Sequence, residues 1–215
     1  MVLATWAAGV AGAIAVVVQW RVVGAGFVWL GAGVAMLLGF PAALGDHSVW
    51  PWVGCSLVAA CFVASRRWAL VVGLMWAAAA CFIVAAWSGG SFAAPLTGAV
   101  LLGGVTGEMM LGHWYLVDPR LPRRALRALD LGGGAGAVLE FCVLAFSGAI
   151  PWVAADGLLG VAFVVLSATT AALMAAVWFA LGEKGYAGVM AATGLSYLAV
   201  LTAIGAAVAG RILLG

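Results

Sequence analysis

Residues 103–130 read GGVTGEMMLGHWYLVDPRLPRRALRALD and contain most of the chemically distinctive side chains of the chain. The first half continues a long apolar segment that encloses Glu108 and His113, and the second half is an arginine-rich loop. An apolar segment of about 20 residues can cross a bilayer, and arginines collect in the loops on its cytoplasmic side. The stretch therefore predicts a membrane-spanning helix that ends at a cytoplasmic loop.

The composition extends this prediction to the whole chain. Of its 215 residues, 67% are hydrophobic and only 7% are charged, and the mean hydropathy is +1.24. Soluble domains carry about 25% charged residues. A membrane β-barrel would alternate apolar and polar positions, whereas here whole segments are apolar. We predict an all-α, polytopic transmembrane helical bundle that forms a single integral membrane domain over residues 1–215.

Charged residues, prolines and Gly/Ser clusters interrupt the apolar runs and divide the chain into about eight predicted helices. These cover residues 3–20, 23–44, 50–65, 68–87, 92–117, 131–150, 157–181 and 187–213. The third helix is short and needs residues of the preceding GDHSVWPW loop to span. The first segment lacks the basic region of a signal peptide, so we interpret it as a retained helix.

The distribution of basic residues predicts which side each loop occupies. With eight helices, the loops after the first, third, fifth and seventh helix lie on one side, and they hold eight of the nine basic residues. Only Arg211 lies opposite. Because basic residues are concentrated in cytoplasmic loops, both termini are predicted to face the non-cytoplasmic side. The predicted localisation is the cell (inner) membrane.

Two of the seven acidic residues, Glu108 and Glu140, fall inside apolar segments, whereas the other five, including Asp130, fall in predicted loops. A carboxylate at the bilayer centre costs about 2.5–3.5 kcal/mol and survives only inside a bundle. Glu108 lies 10 residues before Asp118, and Glu140 lies 10 residues after Asp130. Both carboxyls are therefore predicted about 15 Å from the cytoplasmic boundary, near the midplane.

The same spacing suggests that the two glutamates meet. Each follows a glycine by four residues, Gly104 and Gly136, and small residues let two helices approach closely. Two facing carboxyls in a low-dielectric interior cannot both ionise cheaply, so one keeps its proton. We predict that Glu108 and Glu140 handle protons or a cation. The alternative is that each is a neutral acid that only hydrogen-bonds neighbouring helices.

The GHWYL sequence places His113, Trp114 and Tyr115 at the end of the fifth helix. These side chains could contact the ring of a quinone or another ligand, and packing is the alternative for the histidine. The only other histidine, His47, lies in an outward loop, so a haem bridged by the pair is not expected. Two histidines are too few for a zinc or di-iron site, and no catalytic set of residues is predicted.

Four arginines, Arg120, Arg123, Arg124 and Arg127, recur at three- and four-residue spacing in the loop after this helix. Such a stripe on a short surface helix is typical of contact with anionic lipid head groups. Docking of a cytoplasmic partner subunit is the alternative. No nucleic-acid partner is expected.

Three functions remain open. The first is an integral membrane subunit of an energy-converting electron-transfer complex, which handles protons or a quinone. The second is a proton-coupled transporter of a small solute, and the third is a structural subunit without chemistry. The glycine-rich LGGGAG segment has no preceding strand and no lysine, so it is not a phosphate loop. The sequence leaves open whether the protein is an enzyme.

Overall fold

The computed structural model describes residues 1–87, 89, 91–150 and 157–214, and over these residues it contains eight α-helices. The helices are α1 (Val2–Gln19), α2 (Ala25–Leu44), α3 (Trp50–Ala64), α4 (Trp68–Ala86), α5 (Ala93–Trp114), α6 (Arg123–Phe146), α7 (Gly157–Ala180) and α8 (Tyr186–Leu213). Seven of them are long and apolar enough to cross a membrane, and α3, with 15 residues, is shorter. The predicted all-α transmembrane bundle of eight helices is confirmed.

The sixth helix differs most from the sequence-based prediction. It begins at Arg123 rather than at residue 131, so the RRALRALD segment is part of a spanning helix and not a separate surface helix. Arginine, alanine and leucine are strong helix formers, and one side of this first part packs inward through the buried Leu126. Pro122 precedes the helix with an extended backbone. The other seven helices begin and end within three residues of the predicted positions.

The eight helices form two four-helix units with the same pattern of contacts. In the first unit, α1 and α3 each pack against α2 and α4; in the second unit, α5 and α7 each pack against α6 and α8. The units meet mainly through α1 and α5. We call the end of the bundle that carries the loops after α1, α3, α5 and α7 the arginine-rich end, and the other the opposite end.

Small residues bring the helices together around α5. A Cβ atom added to Gly9 of α1 would lie 2.3 Å from the carbonyl oxygen of Ala99, and one added to Gly103 would lie 2.3 Å from that of Gly9. An added Cβ atom at Gly104 would likewise lie 2.3 Å from the backbone nitrogen of Gly133 in α6. Such close backbone approaches are typical of helix pairs in membranes. They make α5 the central helix of the bundle, in close backbone contact with both α1 and α6.

Polar side chains are distributed unequally between the two units. Eight of the ten buried polar or charged side chains of the described residues belong to α5–α8. The interior of the first unit is built from apolar side chains such as Phe27, Met75 and Phe82, all of them fully buried. The two units therefore share a contact pattern but differ in chemistry, and most of the buried polar groups lie in the second unit.

Candidate functional site

Glu108 and Glu140 lie near different ends of the second unit and do not face each other. Because Gly104 of α5 packs on Gly133 of the antiparallel α6, the carboxyl of Glu108 falls at the level of Asp130. Glu140 lies 10 residues further along α6, about 15 Å away along the helix axis. The interpretation that the two glutamates meet is wrong. It failed because α6 begins eight residues earlier than predicted, at residue 123 rather than 131, which changes the depth of every residue that follows.

Glu140 forms a buried ion pair with Arg211 of α8. An oxygen of Glu140 lies 2.7 Å from a guanidinium nitrogen of Arg211, and the Thr97 hydroxyl of α5 donates to the other carboxylate oxygen. Arg211 also donates to the carbonyl oxygen of Ala94 at 2.7 Å. Gly98 makes room for it, since an added Cβ atom would lie 2.3 Å from the guanidinium. Both carboxylate oxygens are thus satisfied, and the contact joins α5, α6 and α8.

Glu108 is in a different situation. Its side chain is completely buried, and neither carboxyl oxygen has a hydrogen-bond partner among the described residues. The Ser196 hydroxyl of α8 is near enough to interact with it, but that hydroxyl is oriented toward the backbone carbonyls of Ala192 and Thr193, at 2.9 and 3.1 Å. A small rotation of the hydroxyl would turn it to Glu108. Asp130 of α6 is also near enough to interact electrostatically with Glu108.

Asp130 was predicted to lie in a loop, and this is wrong. It belongs to α6, its side chain is only 2% exposed, and one of its carboxyl oxygens has no hydrogen-bond partner among the described residues. Arg127, one turn earlier, does not neutralise it. The Arg127 guanidinium instead lies over the Trp178 ring, 5.1 Å from its centre, and donates to the carbonyl of Leu181. Glu108 and Asp130 are therefore two buried acids at one level of the bundle, which we call the Glu108–Asp130 pair, and neither forms an ion pair within the part of the chain that the structure describes.

The three ligand candidates of the GHWYL sequence point in different directions. Trp114 packs edge-on against Phe27 of α2, with ring centres 5.8 Å apart. Tyr115 is buried beside Tyr186 at the start of α8, with ring centres 6.1 Å apart. His113 is exposed on the outer surface of the bundle. The three side chains do not line a common pocket.

His113 instead forms a pair that the sequence did not indicate. Its Nδ1 atom lies 3.3 Å from the hydroxyl of Tyr197 on α8, and both side chains are exposed. Tyr197 directly follows Ser196, the serine near Glu108. One turn of α8 thus carries an outward-facing hydroxyl next to His113 and an inward-facing hydroxyl next to Glu108.

The predicted arginine stripe divides into two pairs. Arg123 donates to the carbonyl oxygens of Glu183 and Gly185, and Arg127 donates to that of Leu181. These two arginines fasten the start of α6 to the connection between α7 and α8. Arg120 and Arg124 are exposed and remain free to contact lipid head groups or a partner.

No protein-family model, curated protein or solved structure matches this chain. Among the described residues there is also no group of three or more His, Cys, Asp and Glu side chains that could hold a metal ion.

Sequence reasoning missed Asp130 and Arg211, and each had a signal. Asp130 ends a segment that begins with proline and continues with strong helix formers, which is the pattern of a helix start. Arg211 is the single basic residue at the opposite end. It lies within an apolar helix and departs from the positive-inside distribution. Such an arginine is expected to pair with an acid inside the membrane.

Proposed function

We propose that this protein is an integral membrane subunit of an energy-converting electron-transfer complex and that it handles protons at the Glu108–Asp130 pair. The observation that carries the proposal is the fully buried Glu108 carboxyl, which lies at the level of a second buried acid and has no hydrogen-bond partner among the described residues. Ionisable side chains within membrane-spanning helices are typically found where protons or ions move.

The chemistry of the pair favours proton exchange. Two acids close together in a low-dielectric interior cannot both be ionised cheaply, so Glu108 and Asp130 retain at least one proton between them. Within the described ranges no ion pair holds that proton in place, and the Ser196 hydroxyl can donate to the carboxylate that forms when the proton leaves. Glu140 differs, because Arg211 neutralises it. We therefore assign proton handling to Glu108 and Asp130 and a clamping role to Glu140.

The position of the pair supports exchange through the arginine-rich end. Glu108 lies six residues before the end of α5 at Trp114, about 9 Å from that end of the helix. On the opposite side of the unit, the contacts among Glu140, Arg211 and Thr97 occupy the space between α5, α6 and α8. The short route for a proton is thus to the arginine-rich end.

The His113–Tyr197 pair favours an electron-transfer complex as the assembly in which the proton site works. A quinone dissolved in the bilayer reaches only outward-facing side chains, and its carbonyl oxygens accept hydrogen bonds from groups such as the imidazole and the phenol. Ser196, next to Tyr197, connects this surface to Glu108. We infer that a quinone contacts His113 and Tyr197 and that, when redox subunits of the complex reduce it by two electrons to the quinol, it takes up two protons through the Glu108–Asp130 pair.

Infrared spectroscopy tests the proton site directly. In the purified protein in nanodiscs, Glu108→Gln or Asp130→Asn is expected to remove a carbonyl-stretch band of a protonated carboxyl that shifts in heavy water. Glu183→Gln is the matched control, because it removes an exposed acid outside the pair. If both variants keep the band, the pair holds no exchangeable proton and the proposal fails.

A proton-coupled transporter of a small solute is the second candidate. It is favoured by the hydroxyls of Ser167, Thr170 and Thr202, which continue the polar interior of the second unit between its two charged clusters. Co-purification separates the candidates. Electron transfer is favoured if redox subunits or quinone co-purify with the wild type and are lost when His113 and Tyr197 are replaced. A particle that contains neither, and that takes up a solute together with protons in vesicles, favours transport.

A further inference from the structure

An apolar groove lies along the junction of the two units, between α1, α4, α5 and α6. Its volume is about 320 Å³, and its walls are largely glycine and alanine, among them Gly12 and Gly132. The large side chains at its rim, such as Trp76 and Leu96, are exposed on the membrane-facing surface of the bundle. The groove therefore opens to the hydrocarbon of the bilayer, where acyl chains fill any such space.

A second cavity adjoins this groove at the arginine-rich end. It has a volume of about 370 Å³, shares Trp20 and Ala128 with the groove, and is lined by Arg124. Arg124 is exposed and makes no hydrogen bond or ion pair with the described part of the chain. An unpartnered positive charge thus stands where the apolar groove reaches the membrane surface.

We propose that the groove binds one anionic phospholipid, with an acyl chain between the two units and the phosphate at Arg124. On α1 the lining extends from Ala8 to Trp20, about 18 Å. One leaflet of the hydrocarbon core is about 15 Å thick, so a single acyl chain matches the groove. The guanidinium recognises the phosphate, because arginine binds phosphate oxygens through paired N–H donors.

Gly132 provides a direct test, because an added Cβ atom would meet nothing within 4 Å. Gly132→Leu therefore places an apolar side chain at the groove, and its Cβ atom meets no neighbouring atom. Native mass spectrometry with added dioleoyl phosphatidylglycerol is expected to show a tightly bound lipid on the wild type that is lost from this variant. Gly33→Leu is the matched control, since Gly33 is also half-buried and open but lies on α2, away from the groove.

Arg124→Gln tests the head-group end. The affinity for phosphatidylglycerol is expected to fall about fivefold, as for the loss of one basic residue near a membrane surface. The affinity for dioleoyl phosphatidylcholine should change less. Arg120→Gln is the control, because Arg120 is exposed at the same end but does not line either cavity.

Ala128→Phe supplies a second groove-filling variant at a position that lines both cavities, in case Gly132→Leu does not fold. Retention of the bound lipid by every folded groove-filling variant would overturn the proposal. An unchanged preference for phosphatidylglycerol in Arg124→Gln would also overturn it. A third contrary result would be that the groove-filling variants lose a bound neutral quinone instead of a phospholipid. Glu108→Gln should bind lipid like the wild type, so the failure of this site and that of the proton site are distinguishable.

Discussion

The buried Glu140–Arg211 pair is asymmetric because its two members respond differently to the loss of a partner. Arginine cannot release its proton inside a protein, whereas a carboxylate can take one up. Glu140→Gln leaves a buried positive charge, and removal of one partner of such a pair costs about 3–5 kcal/mol. Arg211→Gln leaves an acid that can become neutral, so we expect a smaller loss of stability.

Thermal unfolding in detergent measures this difference through the reaction of the buried Cys55 and Cys61 with a fluorogenic maleimide. The double variant, which lacks both charges, should be more stable than Glu140→Gln alone. Glu183→Gln serves as the control for the loss of one exposed acid. The ion pair would not stabilise the bundle if the two single variants lost equal stability and the loss in the double variant were the sum of the two.

Among single residues, the sequence identified Glu108 as a membrane-embedded acid but assigned it the wrong neighbour. Hydropathy shows that the Glu108 carboxyl is embedded, because the residue lies within a long apolar run. Such a group is expected to face the interior of the bundle. Hydropathy does not show which residue it meets, since the partner depends on the register of two helices. That register is set by backbone contacts such as Gly104 on Gly133, which leave no charge pattern in the sequence.

At the scale of helices, the junction of α1 and α5 depends on the absence of side chains at Gly9 and Gly103. Valine at either position would place its Cβ atom within 2.3 Å of backbone atoms of the facing helix, so the helices must move apart. Overpacking of this kind costs about 1–3 kcal/mol. We expect lower thermal stability and a weaker contact between Trp6 and Thr106, whose hydrogen bond of 2.8 Å joins the same helices.

The same maleimide assay measures this loss, and Gly33→Val is the control. Gly33 is also helical, but an added Cβ atom there would meet nothing within 4 Å, so the change tests only the helix propensity of valine. If Gly9→Val and Gly33→Val have equal effects, the close approach of α1 and α5 does not limit stability.

The helices themselves were largely predictable from the sequence, because hydropathy and helix-breaking residues act locally. The start of α6 was not, since Arg123, Arg124 and Arg127 resemble a loop when only charge is counted. In the structure, the apolar side of this segment packs inward through Ala125 and Leu126, and two of the arginines bind carbonyls after α7. Tertiary contacts thus make the predicted surface helix the first two turns of α6.

The two units of the bundle share one contact pattern but differ in the polarity of their interiors. Helices α1–α4 have an apolar interior, whereas α5–α8 contain the buried acids, the ion pair and most of the buried hydroxyls. No repeat is evident in the sequence. We interpret the first unit as a scaffold that holds α5 in place and the second as the part that handles protons.

The orientation of the bundle in the membrane is predicted from its basic residues, which lie in alternate loops. Seven of the eight helices in the described residues are long and apolar enough to cross a membrane. We predict that α3 crosses it as well, so that both chain ends face one side and the arginine-rich end faces the other. The concentration of basic residues at that end predicts that it is cytoplasmic. A C-terminal fusion to alkaline phosphatase should then be active, and a fusion after Lys184 should be inactive. A fluorescent C-terminal fusion to green fluorescent protein would contradict this orientation, and the Glu108–Asp130 pair would then exchange its protons with the outer side.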